Sequence, residues 1–245
     1  LKRYPVWTTT GRIDYNDILK SAVDSAYYST GKVSTGKFQI SMRNRPNPFL
    51  NYSFSTGIKF GLMEINFAKV HFSTKLNYKV SKKIRTSLRI WAGGFIHSNN
   101  LPNQYRTYLS GGVDPNFRSS SIFNRTGQAN DISIGSRQFI LDGPSLYGLV
   151  LNDNGKMKTG DDWLISINSE ISLPKIPGKL FADAAFIYNK DVYFDLGWKT
   201  SLGFVSLIIP IYQSWDEQSY PENKHWLLDR IRFSINLPNF NIRGL

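Results

Sequence analysis

The 245-residue sequence contains no cysteine, which excludes disulfide bridges, thiolate catalysis and cysteine metal sites. It also lacks a long apolar run. A helix that crosses a membrane needs about 18 or more apolar residues, and the best candidate, residues 201–215, is shorter and contains Pro210. The basic residues near Leu1 precede no apolar core, so we do not expect a signal peptide there.

Long segments of alternating polarity are the strongest signal in the sequence. From residue 69 to 81, Val, Phe, Thr, Leu and Tyr on one face alternate with Lys, His, Ser and Asn on the other. Comparable segments occur at 51–62, 84–97, 165–173, 192–202 and 231–237. A period of two predicts β-strands with one apolar and one polar face. Several segments run for ten or more residues, which favours membrane strands of about 9–11 residues over sandwich strands of about 5–6.

We therefore predict an all-β fold, an antiparallel transmembrane β-barrel of about 12 strands, within a range of roughly 10–16, in a bacterial outer membrane. Residues 1–245 are predicted to form this single domain, with the stretch from 112 to 136 as a long rim loop. The predicted strands are 18–28, 33–43, 51–64, 68–80, 84–97, 104–112, 137–151, 163–173, 179–189, 191–200, 204–212 and 226–237, with residues 3–9 as the candidate for one more. Aromatic residues expected in the interfacial girdles are Trp7, Tyr27, Tyr28, Tyr52, Trp91, Trp163, Tyr188, Tyr212 and Trp226.

The two faces of each strand predict which side chains meet lipid and which line the interior, because membrane barrels turn apolar faces outward. The predicted lipid-facing side chains are Phe72, Leu76, Ile165, Ile167, Phe194, Leu196, Trp198 and Phe233. The predicted lumen-facing charged side chains are Lys69, Lys75, Lys79, Arg85, Arg89, Glu170, Asp183, Asp195, Lys199, Arg230 and Arg232. We expect each lumenal carboxylate to have a cation or hydrogen-bond donor nearby, since an isolated buried charge is costly.

No residue pattern predicts a catalytic, cofactor-binding or metal site, so we expect neither enzyme activity nor a cofactor. His71 and His97 fall on polar strand faces without a zinc motif, and interior hydrogen bonding is the expected role. Residues 143–148 (Gly-Pro-Ser-Leu-Tyr-Gly) resemble a nucleophile elbow around Ser145, but the second glycine comes one residue too late. A turn between strands is the simpler interpretation.

The formal net charge of +12 raises the question of an anionic partner. A nucleic-acid surface would interleave basic and aromatic side chains on one face. Here most aromatic residues fall on the face opposite Lys and Arg. We therefore predict no nucleic-acid partner and assign the cations to a structural network inside the barrel, with an anion-selective pore as the alternative.

Four segments between about residues 90 and 240 follow one another in a characteristic order. They are Trp-Ala-Gly-Gly-Phe-Ile with the later Ser-Gly-Gly (91–112), Asn-Ser-Glu-Ile-Ser-Leu-Pro (168–174), Leu-Phe-Ala-Asp-Ala-Ala (180–185), and the strands from 195 to 237. This succession resembles the C-terminal barrel of the bacterial surface-antigen superfamily, which includes outer-membrane assembly factors, two-partner-secretion transporters and lipase-fused barrels. The resemblance implies an outer-membrane barrel, as a reduced form or as the barrel of a larger Bacteroidetes-type protein.

Two features depart from that superfamily. Residues 113–118, which directly follow Gly111 and Gly112, contain no Arg-Gly pair, and the predicted strands are fewer than the ~16 of a full barrel. We therefore predict an anchor or scaffold of a larger envelope protein or complex, with the closing strand 226–237 sealed against the first strand. The alternatives are an assembly, secretion or anion-conducting pore and a soluble β-barrel binding protein. The expected partners are the lipid bilayer, lipopolysaccharide, and a fused or associated periplasmic or surface domain.

Overall fold

The structure, a computed structural model, describes residues 4–18, 31–44, 47–62, 66–99, 101, 106–109, 124–128, 146–147, 159–160, 162–189, 192–202, 205–214 and 231–236. All regular elements in these residues are β-strands. They are β1 Val6–Ile18, β2 Gly31–Arg43, β3 Leu50–Leu62, β4 Asn66–Lys79, β5 Arg85–Asn99, β6 Thr107–Tyr108, β7 Asn124–Gln128, β8 Thr159–Gly160, β9 Trp163–Ser172, β10 Lys179–Ile187, β11 Val192–Leu202, β12 Val205–Gln213 and β13 Arg232–Asn236. Within the same residues, no helix has the length and apolarity needed to cross a membrane.

Eleven strands form one antiparallel sheet in the order β1-β2-β3-β4-β5-β9-β10-β11-β12-β13-β7. Neighbouring strands from β1 to β5 pair in chain order, and β5 then pairs with β9. Strands β6 and β8 form a separate pair. In the described part of the chain β1 and β7 are the two edges of the large sheet, and no pairing joins them. The prediction of an all-β antiparallel fold is confirmed.

Two predicted details of the strand arrangement differ from the structure, and a third lies almost wholly outside the described residues. The first strand is β1, while the segment predicted at 18–28 lies, after Ile18, outside the described residues. Residues 124–128, predicted to be part of a loop, form β7, whose sequence Asn-Arg-Thr-Gly-Gln has no apolar alternation to signal a strand. Strand β13 pairs with β12 and β7 instead of β1, so the predicted seam with the first strand is not observed.

In the described residues, nine of the eleven strands of the large sheet are long enough to cross a bilayer. Strands β1 to β5 have 13 to 15 residues, and β9 to β12 have 9 to 11. At about 3.3 Å per residue, even nine residues extend for about 30 Å. The connections β2–β3, β4–β5, β9–β10 and β11–β12 all lie at one end of the sheet, which we call the turn end; the opposite end is the loop end.

Burial alternates along the strands and defines two faces. In β9 the side chains of Leu164, Ser166, Asn168 and Glu170 are buried, and those between them are more exposed. The same alternation continues in β10 and β11. We call the buried side the inner face and the exposed side the outer face. On the inner face, toward the loop end, lies a hydrophobic cluster of Trp91, Leu109, Leu146, Leu164, Ala185, Ile187 and Tyr193.

Two predicted positions in β5 are wrong. Trp91, expected in an interfacial girdle, is only 3% exposed and belongs to the inner hydrophobic cluster. His97, expected on the inner polar face, is exposed. A β-bulge explains the position of His97, because Ala68 pairs with His97 while Lys69 pairs with Phe95, so Ile96 is an extra residue. An extra residue reverses the facing of the side chains beyond it. Trp91 precedes the bulge, and the period of two already places it on the inner face with Arg89.

Candidate functional site

The strand register brings polar residues of five strands into one row on the inner face. Arg89 of β5 pairs with Asn168 of β9, which pairs with Asp183 of β10. Asp183 pairs with Asp195 of β11, which pairs with Gln213 of β12. Directly opposite residues on one face lie within contact distance. The fold therefore concentrates carboxylates and amides that are distant in sequence.

Tyr147 lies against this polar part of the inner face. Its backbone N–H donates to Asp183 Oδ2 at 2.8 Å, and its hydroxyl donates to Glu170 Oε1 at 2.6 Å. Its ring packs edge-on against Phe181, with 5.3 Å between ring centroids, and Lys199 Nζ lies 4.2 Å from the Tyr147 ring centroid. We call these five residues the inner cluster. It fixes the 146–147 segment to three strands of the sheet.

Glu170 is the anionic centre of the inner cluster. It pairs with Lys199 at 3.2 Å and with Lys179, and the side chains of Glu170 and Lys199 are only 8% and 6% exposed. Lys179 is half exposed at 49%, so water screens its pairing far more. Removing two charges from water is costly unless the pair is close and its remaining oxygens have donors. The Tyr147 hydroxyl and Lys179 provide those donors to Glu170.

Gly197 makes room for the phenyl ring in the inner cluster. It lies directly opposite Phe181 in the register. A Cβ atom at position 197 would come within 2.7 Å of the Phe181 ring and 2.3 Å of the Ile209 carbonyl oxygen. Glycine inside a strand is used where another group approaches the backbone this closely. Phe181 can therefore lie over β11 and support the Tyr147 ring.

Asp183 and Asp195 are both buried and lie opposite each other. Asp183 accepts hydrogen bonds from the Tyr147 amide and from Asn168. Asn168 in turn accepts a hydrogen bond of 3.2 Å from Arg89 Nη1. Asn168 thus connects a cation on β5 with a carboxylate on β10. The arrangement is an extended ionic and hydrogen-bonded network.

The other charged side chains that were predicted to face a lumen lie mainly on the same face. By register, Lys69, Lys75 and Lys79 of β4 share the face of Arg85 and Arg89 of β5. Arg85 is exposed and the other four are half-buried. Arg232 lies in β13, and Arg230 is outside the described residues.

Seven of the eight side chains predicted to contact lipid lie on the outer face, and the eighth is Phe233. Phe72, Leu76, Ile165, Phe194 and Leu196 are exposed, and Ile167 and Trp198 are half-buried. The Trp198 indole donates to the Pro177 carbonyl oxygen at 2.6 Å. Phe233 lies in β13. Contact with lipid remains a prediction.

Two members of this network were not identified from the sequence. Tyr147 belongs to the segment interpreted as a turn around Ser145, which itself lies outside the described residues. Lys179 is the first residue of β10, and a hairpin register that places Phe181 opposite Glu170 brings Lys179 diagonally near that carboxylate. The β9–β10 hairpin could be recognised from the sequence, so the proximity of Lys179 to Glu170 could have been predicted. No sequence pattern placed Tyr147 near Glu170.

No protein-family model matches the sequence, and none of the curated proteins matches it. Among solved structures, the chain is similar to CdiB from Acinetobacter baumannii, with 13% sequence identity and a TM-score of 0.44. The match covers 84% of this chain and 33% of that chain, so the chain spans about a third of the length of CdiB. A likeness at this level assigns neither fold nor function. Within the described residues, no three His, Asp or Glu side chains converge as metal ligands.

Proposed function

We propose that the chain forms a β-barrel in a bacterial outer membrane and acts there as the anchor or scaffold of a larger envelope protein or complex. The observation that carries the proposal is the distribution of apolar side chains. Among the described residues, twenty-four large apolar or aromatic side chains are exposed and twelve hydrophobic residues are buried. A soluble protein rarely exposes so extensive an apolar surface. Strands of nine or more residues with ionic groups on the buried face complete the pattern of a membrane barrel.

Aromatic side chains near both ends of the strands support the same proposal. At the turn end, Trp7, Phe49 and Tyr78 are exposed. At the loop end, Trp163 and Tyr188 are exposed. Membrane barrels carry such aromatic girdles at both interfaces. In that orientation the short connections of the turn end would face the periplasm, as they do in outer-membrane barrels.

The inner cluster supports an anchor over a continuously open pore. Tyr147 and Leu146 pack on the inner face against β9 and β10, next to Trp91 of β5. Side chains packed in this way occupy the space that a channel would need. The proposal therefore expects little steady ion conductance.

Membrane fractionation tests the proposal. When the chain is expressed and exported in a Gram-negative host, it should sediment with the outer membrane and resist extraction by alkali. It should also migrate faster on gels before boiling than after it. A chain recovered soluble and monodisperse without detergent would contradict the membrane assignment. Planar-bilayer recordings and an assay of substrate folding in liposomes then distinguish an anchor from a pore or an assembly factor. Steady channels or accelerated folding of an unrelated outer-membrane protein would favour a pore or an assembly factor over an anchor.

A further inference from the structure

A cavity of about 1180 Å³ opens at the turn end of the sheet. Among the described residues, six cationic side chains line it and Glu170 is the one acidic residue. The cations are Lys79, Lys82, Lys83, Arg85, Lys179 and Lys199. They come from β4, β5, β10, β11 and the β4–β5 turn, so the fold assembles them from both halves of the sheet. This concentration of one charge sign, which we call the basic cavity, shares Glu170 and Lys199 with the inner cluster and extends from them toward the turn end.

The Glu170 carboxylate already has partners. Glu170 pairs with Lys179 and Lys199 and accepts the Tyr147 hydroxyl. In the part of the chain that the structure describes, Lys79, Lys82, Lys83 and Arg85 make no ion pair. Like charges held close together repel one another, and a bound anion removes that cost. The basic cavity therefore has an excess of positive charge that a ligand of opposite sign would neutralise.

We propose that the basic cavity binds a multivalent, phosphate-bearing anion. Five of its six cations are lysines, which bind phosphate as compact point charges, whereas planar carboxylates favour the bidentate fork of arginine. Thr200 and Ser206 add neutral hydroxyl groups that suit phosphate oxygens, whereas the Thr86 and Ser87 hydroxyls already donate to the Tyr78 carbonyl and to Glu170. The volume exceeds that of ordinary ligand pockets of about 300–1,000 Å³. It can hold more than one phosphate group, from a lipid headgroup or from a soluble phosphate ester.

Isothermal titration of the full chain in phosphatidylcholine nanodiscs with inorganic pyrophosphate tests this proposal. We expect saturable binding that weakens about tenfold or more as ionic strength rises from about 0.02 M to about 0.2 M, because salt screens such contacts. The double variant K82Q/K83Q should weaken binding by about tenfold or more, since each lysine can supply a charge-assisted hydrogen bond. Lys79→Gln removes a cation of the same cavity from β4 instead of the β4–β5 turn, and it should also weaken binding.

Lys175→Asn is the matched control. Lys175 lies in the β9–β10 turn at the same end, is exposed, and does not line the basic cavity. Its φ of 69° suits asparagine, so the variant removes one charge without straining the turn. Binding in this variant should stay within about twofold of the parent. Equal losses in K175N and K82Q/K83Q, or no pyrophosphate binding by the parent chain, would overturn the proposal.

Nanodiscs containing phosphatidylglycerol identify the source of the phosphate. Competition by this lipid, seen as weaker pyrophosphate binding, indicates a headgroup ligand; unchanged binding indicates a soluble phosphate ester. Either result supports the phosphate chemistry of the basic cavity. The proposal does not depend on the membrane assignment. If the chain proves soluble, the same titration applies in buffer.

Discussion

Replacing Glu170 with leucine should destabilise the protein mainly by removing the carboxylate that pairs with the buried Lys199. Lys199 is 6% exposed at its side chain and lies 3.2 Å from Glu170, so it cannot recover its hydration without a rearrangement. Removing one partner of a buried pair costs about 3–5 kcal/mol. The Tyr147 hydroxyl also loses its acceptor. Glu170→Leu should therefore lower the free energy of unfolding by about 3–5 kcal/mol.

Two further variants distinguish the cost of the charge left on Lys199 from the cost of the lost ion pair. Replacing both partners, Glu170→Leu with Lys199→Met, removes the buried cation together with the carboxylate and should recover most of the loss. Lys179→Met should cost less than about 1 kcal/mol, because Lys179 is half exposed and water screens its pairing. This variant is the matched control for deleting a lysine next to the same carboxylate.

Urea titration in detergent micelles, with tryptophan fluorescence as the signal, measures the free energy of unfolding of each variant. A free energy of unfolding for Glu170→Leu within about 1 kcal/mol of the parent's would contradict this prediction, because removing one partner of a buried pair should cost more. The prediction also fails if the double variant is as unstable as the single variant. In that case the loss would come from packing at position 170 and not from Lys199.

Three other predictions use single substitutions. Leu196→Arg should cost about 2–4 kcal/mol in urea unfolding if it lies at the bilayer midplane, with Leu196→Ala as the control; an unchanged midpoint would contradict lipid contact. Gly197→Ala should cost about 1–3 kcal/mol in the same assay, because its Cβ would meet a carbonyl oxygen at 2.3 Å, whereas Gly11→Ala, with no atom within 4 Å, should be tolerated. Alanine at Ser145 or His97 should leave any hydrolytic turnover of the parent protein unchanged, and a folded variant without turnover would show that we have missed a catalytic group.

The sequence predicted the alternation of faces well where the strands are regular. A period of two places Phe194 and Leu196 on one side and Asp195 and Lys199 on the other, and the exposed and buried sides of β11 follow it. The rule fails at the bulge in β5, because one extra residue reverses every side chain beyond it. The paired glycines Gly93 and Gly94 nearby are a typical sign of such an irregularity.

The inner cluster could be predicted only in part. A buried carboxylate needs donors, so Glu170 was expected to have partners in its neighbourhood. Which donors these are depends on the hairpin register for Lys179 and on long-range packing for Tyr147, which is 23 residues away from Glu170 in sequence. Pairing across such a distance leaves no periodic trace. The contacts of Tyr147 with Glu170 and Asp183 are therefore a result of the structure alone.

The edge strand β1 provides a direct test of barrel closure. In lipid, an unpaired backbone N–H or C=O costs several kcal/mol, so an open sheet edge does not occur there. β1 has 13 residues and β7, the other edge, has five, so β7 cannot cover the whole length of β1. A membrane barrel therefore requires further backbone against β1. Amide hydrogen exchange in detergent measures this directly, because an antiparallel edge strand leaves every second amide unpaired. A closed barrel should protect consecutive amides along β1; alternating fast exchange from Val6 to Ile18 would show an open edge and refute the closed barrel.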